Sequence, residues 1–90
     1  MPVYRVELTK SAKKEFDRLP KDFKEKAIEA FHFLPQNPFS EFLSVKKLKG
    51  ADDLYRLRIG DYRIVYEIRK NILAVVVIKI GHRKDIYRFI

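Results

Sequence analysis

The chain has 90 residues, 47% hydrophobic and 36% charged, which describes a single globular domain over 1–90 and excludes a disordered chain. No apolar run reaches the roughly 18 residues of a membrane span. The first residues read as a strand, not a secretion signal, and the lack of cysteine excludes a disulfide framework and thiolate metal sites. A soluble cytoplasmic protein is the expectation. The net charge of +8 is uneven: residues 1–43 hold 8 Lys/Arg and 7 Asp/Glu, residues 44–90 hold 12 and 5. The basic excess therefore lies in the second half and points to a phosphate-rich partner. A merely solvated basic surface is the plainer alternative.

Taken in chain order, Val3 to Leu8 alternates and predicts a first strand. Thr9 is placed to cap a helix carrying Ala12, Phe16 and Leu19 at helical spacing. Pro20 ends that helix or begins the next, in which Phe23, Ala27, Phe31 and Leu34 make an apolar stripe that Pro35 stops. These two segments predict a helical hairpin with one greasy face. Lys46 to Gly50 leads into Asp52-Asp53 and a β-hairpin, LYRLRIGDYRIVY, turning at Gly60-Asp61. A second turn near Lys70-Asn71 starts a strand from Ile72 to Ile80, apolar enough to be covered on both faces. GHRKDIYRFI then reads as a turn plus a short strand or frayed tail. The expected fold is α+β. It has an antiparallel sheet of four, possibly five, strands, with the N-terminal two-helix hairpin on one face, in the order β-α-α-β-β-β.

The hairpin sorts by face. Tyr55, Leu57, Ile59, Tyr62, Ile64, Tyr66 and Ile68 share one side; Arg56, Arg58, Arg63 and Val65 share the other. Arg58 opposes Arg63, and like charges across a ladder repel. Helices cannot cover unpartnered arginines, so that face is expected to be open to solvent or a ligand. A charge-assisted bond to phosphate is worth about 1.5–3 kcal/mol, enough to outweigh the repulsion of one exposed pair.

Gly81-His82-Arg83-Lys84-Asp85-Ile86-Tyr87 follows the last strand. It offers an imidazole, a guanidinium, an ammonium and a phenol. With the hairpin arginines this set suits metal-free RNA cleavage, in which a 2′-hydroxyl attacks the adjacent phosphorus and the 5′-oxygen leaves. Such a site needs a proton acceptor, a proton donor and cations on the phosphorane oxygens. Arginine's planar fork fits the last role. A tyrosine ringed by cations becomes more acidic and so a plausible base. His82 is a proton carrier or phosphate contact. Against this, Tyr87 also reads as a packing aromatic and His82 as a surface residue. His32 lies in the apolar helix and reads as structural. Tyr55, Tyr62 and Tyr66 read as core, and Asp52, Asp53 and Asp61 as turn residues. No carboxylates converge, which argues against a metal-dependent nuclease, and no cofactor motif is present.

KLKGADDLYRLRIGDYRIVYEI, an apolar strand and GHRKDIY, together with SAKKEFDRLP, closely resemble the RelE/ParE superfamily of toxins, on the RelE side. The resemblance covers essentially the whole chain. It implies an endoribonuclease that cuts mRNA in the ribosomal A site without a metal or cofactor, leaving a 2′,3′-cyclic phosphate. It implies that Arg56 meets the scissile phosphate, with Arg58 a second basic position. Arg63 stabilises the transition state, Arg83 is the proposed general acid, and Tyr87 is the proposed base or stacking group. His82 joins the site in some relatives. Lys47 and Lys49 match basic residues placed to meet ribosomal RNA, and Lys46 and Lys84 are expected RNA contacts beside them. Arginine stands at 56 where the family usually has lysine, and its pKa above 12 makes it a poor proton carrier, so the base must be Tyr87 or His82. The implied partners are an acidic, partly helical RelB-type antitoxin in a hetero-oligomer, and the mRNA and ribosomal RNA of the A site. No membrane is implied. The rival is a ParE-like toxin that binds DNA gyrase and performs no chemistry.

Overall fold

The structure, a computed structural model, describes residues 3–36, 38, 45–48 and 53–89, with side chains up to 86. The elements run β1 (Arg5–Leu8), α1 (Lys10–Asp17), α2 (Lys21–Phe33), β2 (Val45–Lys47), β3 (Leu54–Ile59), β4 (Tyr62–Arg69), β5 (Ala74–His82) and α3 (Arg83–Phe89). They form one five-stranded sheet in the order β1-β5-β4-β3-β2. No described helix is long and apolar enough to cross a membrane.

Thr9 caps α1 as its position predicts, accepting a 3.1 Å hydrogen bond from the Ala12 amide on Oγ1. Pro20 is the N-cap of α2, and Pro35 follows its end. The apolar stripes of both helices meet the sheet face that carries Leu57, Ile59, Ile64, Tyr66, Ile68, Val75, Val77 and Ile80. Each fully buried aliphatic side chain in that layer contributes about 1.5–3 kcal/mol. Tyr66 is fully buried, and its hydroxyl donates to the Pro38 carbonyl at 2.7 Å. Burial pushes the Tyr66 phenol up from its usual range, and Tyr55 beside it adds to the rise.

The sheet differs from a purely antiparallel one at β1, which lies parallel to β5. Val6 then pairs with Val75 and Leu8 with Val77, so the apolar residues of both strands line the helix face together. The connection between these parallel neighbours is the whole run of α1, α2 and strands β2 to β4, far longer than a parallel pair requires. β1 ends opposite Val77. Beyond it α1 closes the β5 edge, as Glu15 accepts from the Ile80 amide at 3.1 Å and from Lys79 Nζ at 2.5 Å.

Two further departures shape the functional end. The last strand begins at Ala74, after a 3₁₀ turn over Lys70–Ile72, and runs on to His82. The segment after it is a helix, not a strand or tail. The Arg83 amide still extends the β4–β5 ladder by bonding the Asp61 carbonyl at 2.7 Å. From there α3 turns back against β5 and β4. Ile86 is fully buried, and a Cβ built on Gly81 would lie 3.6 Å from its Cδ1. A buried isoleucine one turn into the segment is what the tail's short apolar pattern did not announce as a helix.

Candidate functional site

The β3–β4 turn is built as its residues demand. Gly60 takes φ +62°, and Asp61 does not have positive φ, so only the first central residue needs glycine. The register follows: Ile59 pairs with Tyr62, Arg58 with Arg63 and Arg56 with Val65. Strand β2 sets Lys46 beside Arg56, and β5 sets Lys79 beside Val65 and Gly81 beside Arg63. The sheet face away from α1 and α2 therefore carries Lys46, Arg56, Val65 and Lys79 in one row and Arg58, Arg63 and Gly81 in the next.

This face is not uniformly open. Arg58 is exposed and Arg56 half-buried, but Arg63 is only 7% exposed. Gly81, directly opposite it, lies beneath Ile86, so α3 occupies this side of the sheet. The expectation of a bare arginine face fails at Arg63, whose guanidinium folds back onto the turn next to a third helix, unforeseen from the tail, that packs on Gly81. The repulsion between Arg58 and Arg63 is relieved locally. Arg63 Nη1 donates back to the carbonyls of Gly60 at 2.7 Å and Tyr62 at 3.0 Å. Its Nε–H is buried and unmatched, as is the Nε–H of Arg56. An unmet buried donor costs about 1–3 kcal/mol, and an anion would repay it. Val45, Lys46, Arg56 and Arg58 line a groove of about 270 Å³ at the outer end of the same face. Chemically, such a set of donors can accept an anion with a planar or tetrahedral oxygen set.

The remaining sequence-derived residues divide. Arg83 and Lys84 are exposed in the first turn of α3. Tyr87 stands on α3 one turn after Arg83, its side chain outside the described residues, as is the whole of Lys49. Lys47 pairs with Tyr55, so it points to the helix side, opposite Lys46. His82 is also turned away. It pairs with Tyr62 and meets that ring edge-on at 5.6 Å, while its Nδ1 accepts from the Lys84 amide at 3.3 Å. A strict two-residue alternation from Val75 and Val77 would put His82 among the arginines. A bulge prevents it: Val65 pairs with Lys79 and Tyr66 with Val77, leaving Ile78 over and reversing the parity of everything after it. The same reversal sets Lys79 opposite Val65 in the arginine row, but its ammonium is engaged by Glu15 of α1, a pairing that sequence reading passed over although the lysine interrupts the run VVVIKI. His32, read as structural, is exposed on α2. Tyr66 is core as expected, with Tyr55 and Tyr62 packed against it. Among the described residues no three His, Asp or Glu side chains gather in metal-ligating reach.

The comparisons with known proteins agree with this architecture. A family model described as the ParE toxin of type II toxin–antitoxin systems, parDE, matches residues 6–87. A protein of Methanocaldococcus jannaschii described as putative toxin RelE1 is 33% identical over 86 residues, covering 94% of this chain and 96% of that one. A chain in the crystal structure of the archaeal RelE–RelB complex from Pyrococcus horikoshii is 33% identical. The match covers 90% of this chain and 96% of that chain, with a TM-score of 0.81. A chain of the intact Escherichia coli RelBE toxin–antitoxin complex is 26% identical, with coverages of 88% and 95% and a TM-score of 0.76.

Proposed function

This chain belongs to the RelE family of toxins of type II toxin–antitoxin systems, and from that premise we propose that it is a ribosome-dependent mRNA endoribonuclease. The observation that carries the reading is the pair of buried, unmatched Nε–H groups of Arg56 and Arg63 on one sheet face, with Arg58 across the ladder. A phosphodiester supplies the acceptors both lack. In the proposed reaction a 2′-hydroxyl of the mRNA attacks the neighbouring phosphorus, the 5′-oxygen departs, and a 2′,3′-cyclic phosphate remains. Arg56 and Arg63 bind the non-bridging oxygens, whose charge grows in the transition state, and Arg58 adds to the local potential. Arg83 donates a proton or a hydrogen bond to the leaving oxygen.

Tyr87 takes the 2′ proton. We assign that role to Tyr87 and not to His82, because His82 lies on the Tyr62 side of the sheet and its Nδ1 is engaged by the Lys84 amide. Lys46 and Lys84 serve as RNA contacts, and Lys49 is proposed as one from the resemblance. Lys47, on the opposite face, is assigned to ribosomal RNA and not to the scissile strand. The solved complexes of relatives with RelB support a RelB-type partner here, an acidic, partly helical antitoxin that neutralises a chain of net charge +8.

The match to the ParE family model favours one other reading, a non-enzymatic toxin that binds DNA gyrase. One experiment separates them. Purified protein is added to a translation reaction and mRNA 5′ ends are mapped, with Arg63→Ala in parallel and gyrase supercoiling measured alongside. The nuclease reading expects new 5′ ends in translated mRNA, lost with Arg63→Ala, and unchanged supercoiling. Inhibited supercoiling with intact mRNA would replace it with the gyrase reading.

A further inference from the structure

Among the described residues, the hydrogen bonds that orient Arg63 come from the main chain of the turn. Its Nη1 is held by two main-chain carbonyls of the turn, those of Gly60 at 2.7 Å and Tyr62 at 3.0 Å. The direction of the Gly60 carbonyl is set by the turn, and the turn rests on the helical hairpin. A Cβ built on Gly60 would fall 2.8 Å from Cε1 of Phe23, closer than real contacts allow. The Phe23 ring of α2 therefore lies flush against the backbone of Gly60. It is itself held from the side by Tyr62, with ring centroids 4.6 Å apart. Both aromatic rings pack against the main core, so neither moves without cost. The chain of contact runs from the core through Phe23 and Gly60 to the guanidinium, and it leaves the Nε–H of Arg63 buried and unmatched.

We infer that Phe23 and Gly60 are positioning residues for Arg63: the ring of α2 seats the turn, and the turn's carbonyl aims the guanidinium. Glycine is required at 60 for two reasons that act together. It tolerates the positive φ, and it lets the ring approach. Neither residue touches the proposed substrate. The inference rests on the nuclease reading for its kinetic test but not for its structural one.

The test is a double-mutant cycle on the full chain, read as single-turnover cleavage of mRNA on programmed ribosomes, with wild type, Gly60→Ala, Arg63→Ala and the double variant. Removing a transition-state donor costs about 10²–10³-fold. Misplacing one costs on the order of ten- to a hundredfold. Gly60→Ala is therefore expected to slow cleavage at saturating ribosomes by that second amount, with the half-saturating ribosome concentration nearly unchanged. In the Arg63→Ala background it is expected to cost nothing more, because the group it aims is gone. Equal losses in both backgrounds, or no loss in the wild-type background, would overturn the inference. Phe23→Leu keeps an apolar side chain of smaller volume without the ring and carries the same cycle if Gly60→Ala does not fold; it is expected to show the same non-additivity. A second readout is the Nε–H resonance of Arg63 in nitrogen-edited NMR. It is expected to exchange slowly with water in the wild type and fast in both variants. Unchanged exchange overturns the positioning role. Wild-type protein that leaves mRNA intact overturns the nuclease reading instead, and the NMR comparison then decides the positioning role without it.

Discussion

Leu73 holds the one non-glycine positive φ among the described residues, at 50°, and its side chain is 38% exposed. A leucine in the left-handed region carries about 1–2 kcal/mol of local strain, and this one recovers little by burial. Leu73→Gly is expected to raise stability by about 0.5–1 kcal/mol, the relief of strain less the extra freedom glycine gains when unfolded. That is a rise of several degrees in Tm, read by calorimetry; a fall in Tm would mean the leucine packs in a way its exposure does not suggest. Tyr66 makes a prediction of opposite kind. Its folded pKa is raised above the unfolded value near 10, so the stability it contributes is fully present below about pH 10 and is lost as pH rises above that. Denaturant titrations should show a decline above pH 10 that Tyr66→Phe flattens. At neutral pH that variant loses the hydrogen bond to Pro38, worth about 1 kcal/mol. Both features depend on three-dimensional surroundings. Nothing local marks position 73 for a left-handed turn, whereas the burial behind the Tyr66 shift follows from the alternation that puts it on the core face.

Among the elements, α3 stands apart. Ile86, its buried anchor, faces Gly81 on the arginine side of the sheet and is not part of the main core under α1 and α2. Residues 83–89 are therefore expected to open as a separate unit. Ile86→Ala is expected to speed hydrogen exchange across 83–89 while β4 and β5 keep their protection. Uniform acceleration throughout the sheet would show that α3 is welded to the core instead. The helices α1 and α2 and the β3–β4 hairpin were legible in the sequence because each carries its own signal: a cap at Thr9, prolines at 20 and 35, a glycine at the turn and long apolar periodicity. The short final helix carries only Ile86 as a clear anchor, and seven residues give too little periodicity to tell a helix from a tail.

Across the whole molecule the charge is divided by the sheet into two populations. Lys46, Arg56, Arg58 and Arg63 share the face away from the helical hairpin, Lys47 and His82 fall on the other, and the Lys79 ammonium is taken up by Glu15 of α1. Adjacent lysines at 46 and 47 thus test the division directly. Under the nuclease proposal, Lys46→Gln is expected to weaken mRNA cleavage several-fold and to lower the salt dependence of RNA binding by about 0.7 in log–log slope, one phosphate contact's worth. Lys47→Gln is expected to leave the cleavage step unchanged. Equal effects of the two on cleavage would mean that the sheet does not separate them functionally. The arginine hairpin itself was legible from alternation, because a two-residue turn fixes which residues oppose each other. The burial of Arg63 was not legible, because its guanidinium folds back onto the turn and its neighbour Gly81 meets an element remote in the chain.

By itself the sequence determined the α+β class, the two-helix hairpin, the register that sets Arg58 against Arg63, and the gathering of positive charge in the second half. These follow from local rules: capping, periodicity, turn chemistry and a simple count of charges. Only the tertiary structure decided that β1 lies parallel to β5, that a bulge at Ile78 takes His82 from the arginine face, and that α3 packs on Gly81 beside Arg63. Those outcomes depend on which apolar surfaces find one another when the chain collapses, and a single unpaired residue in one strand reverses the facing of all that follow it.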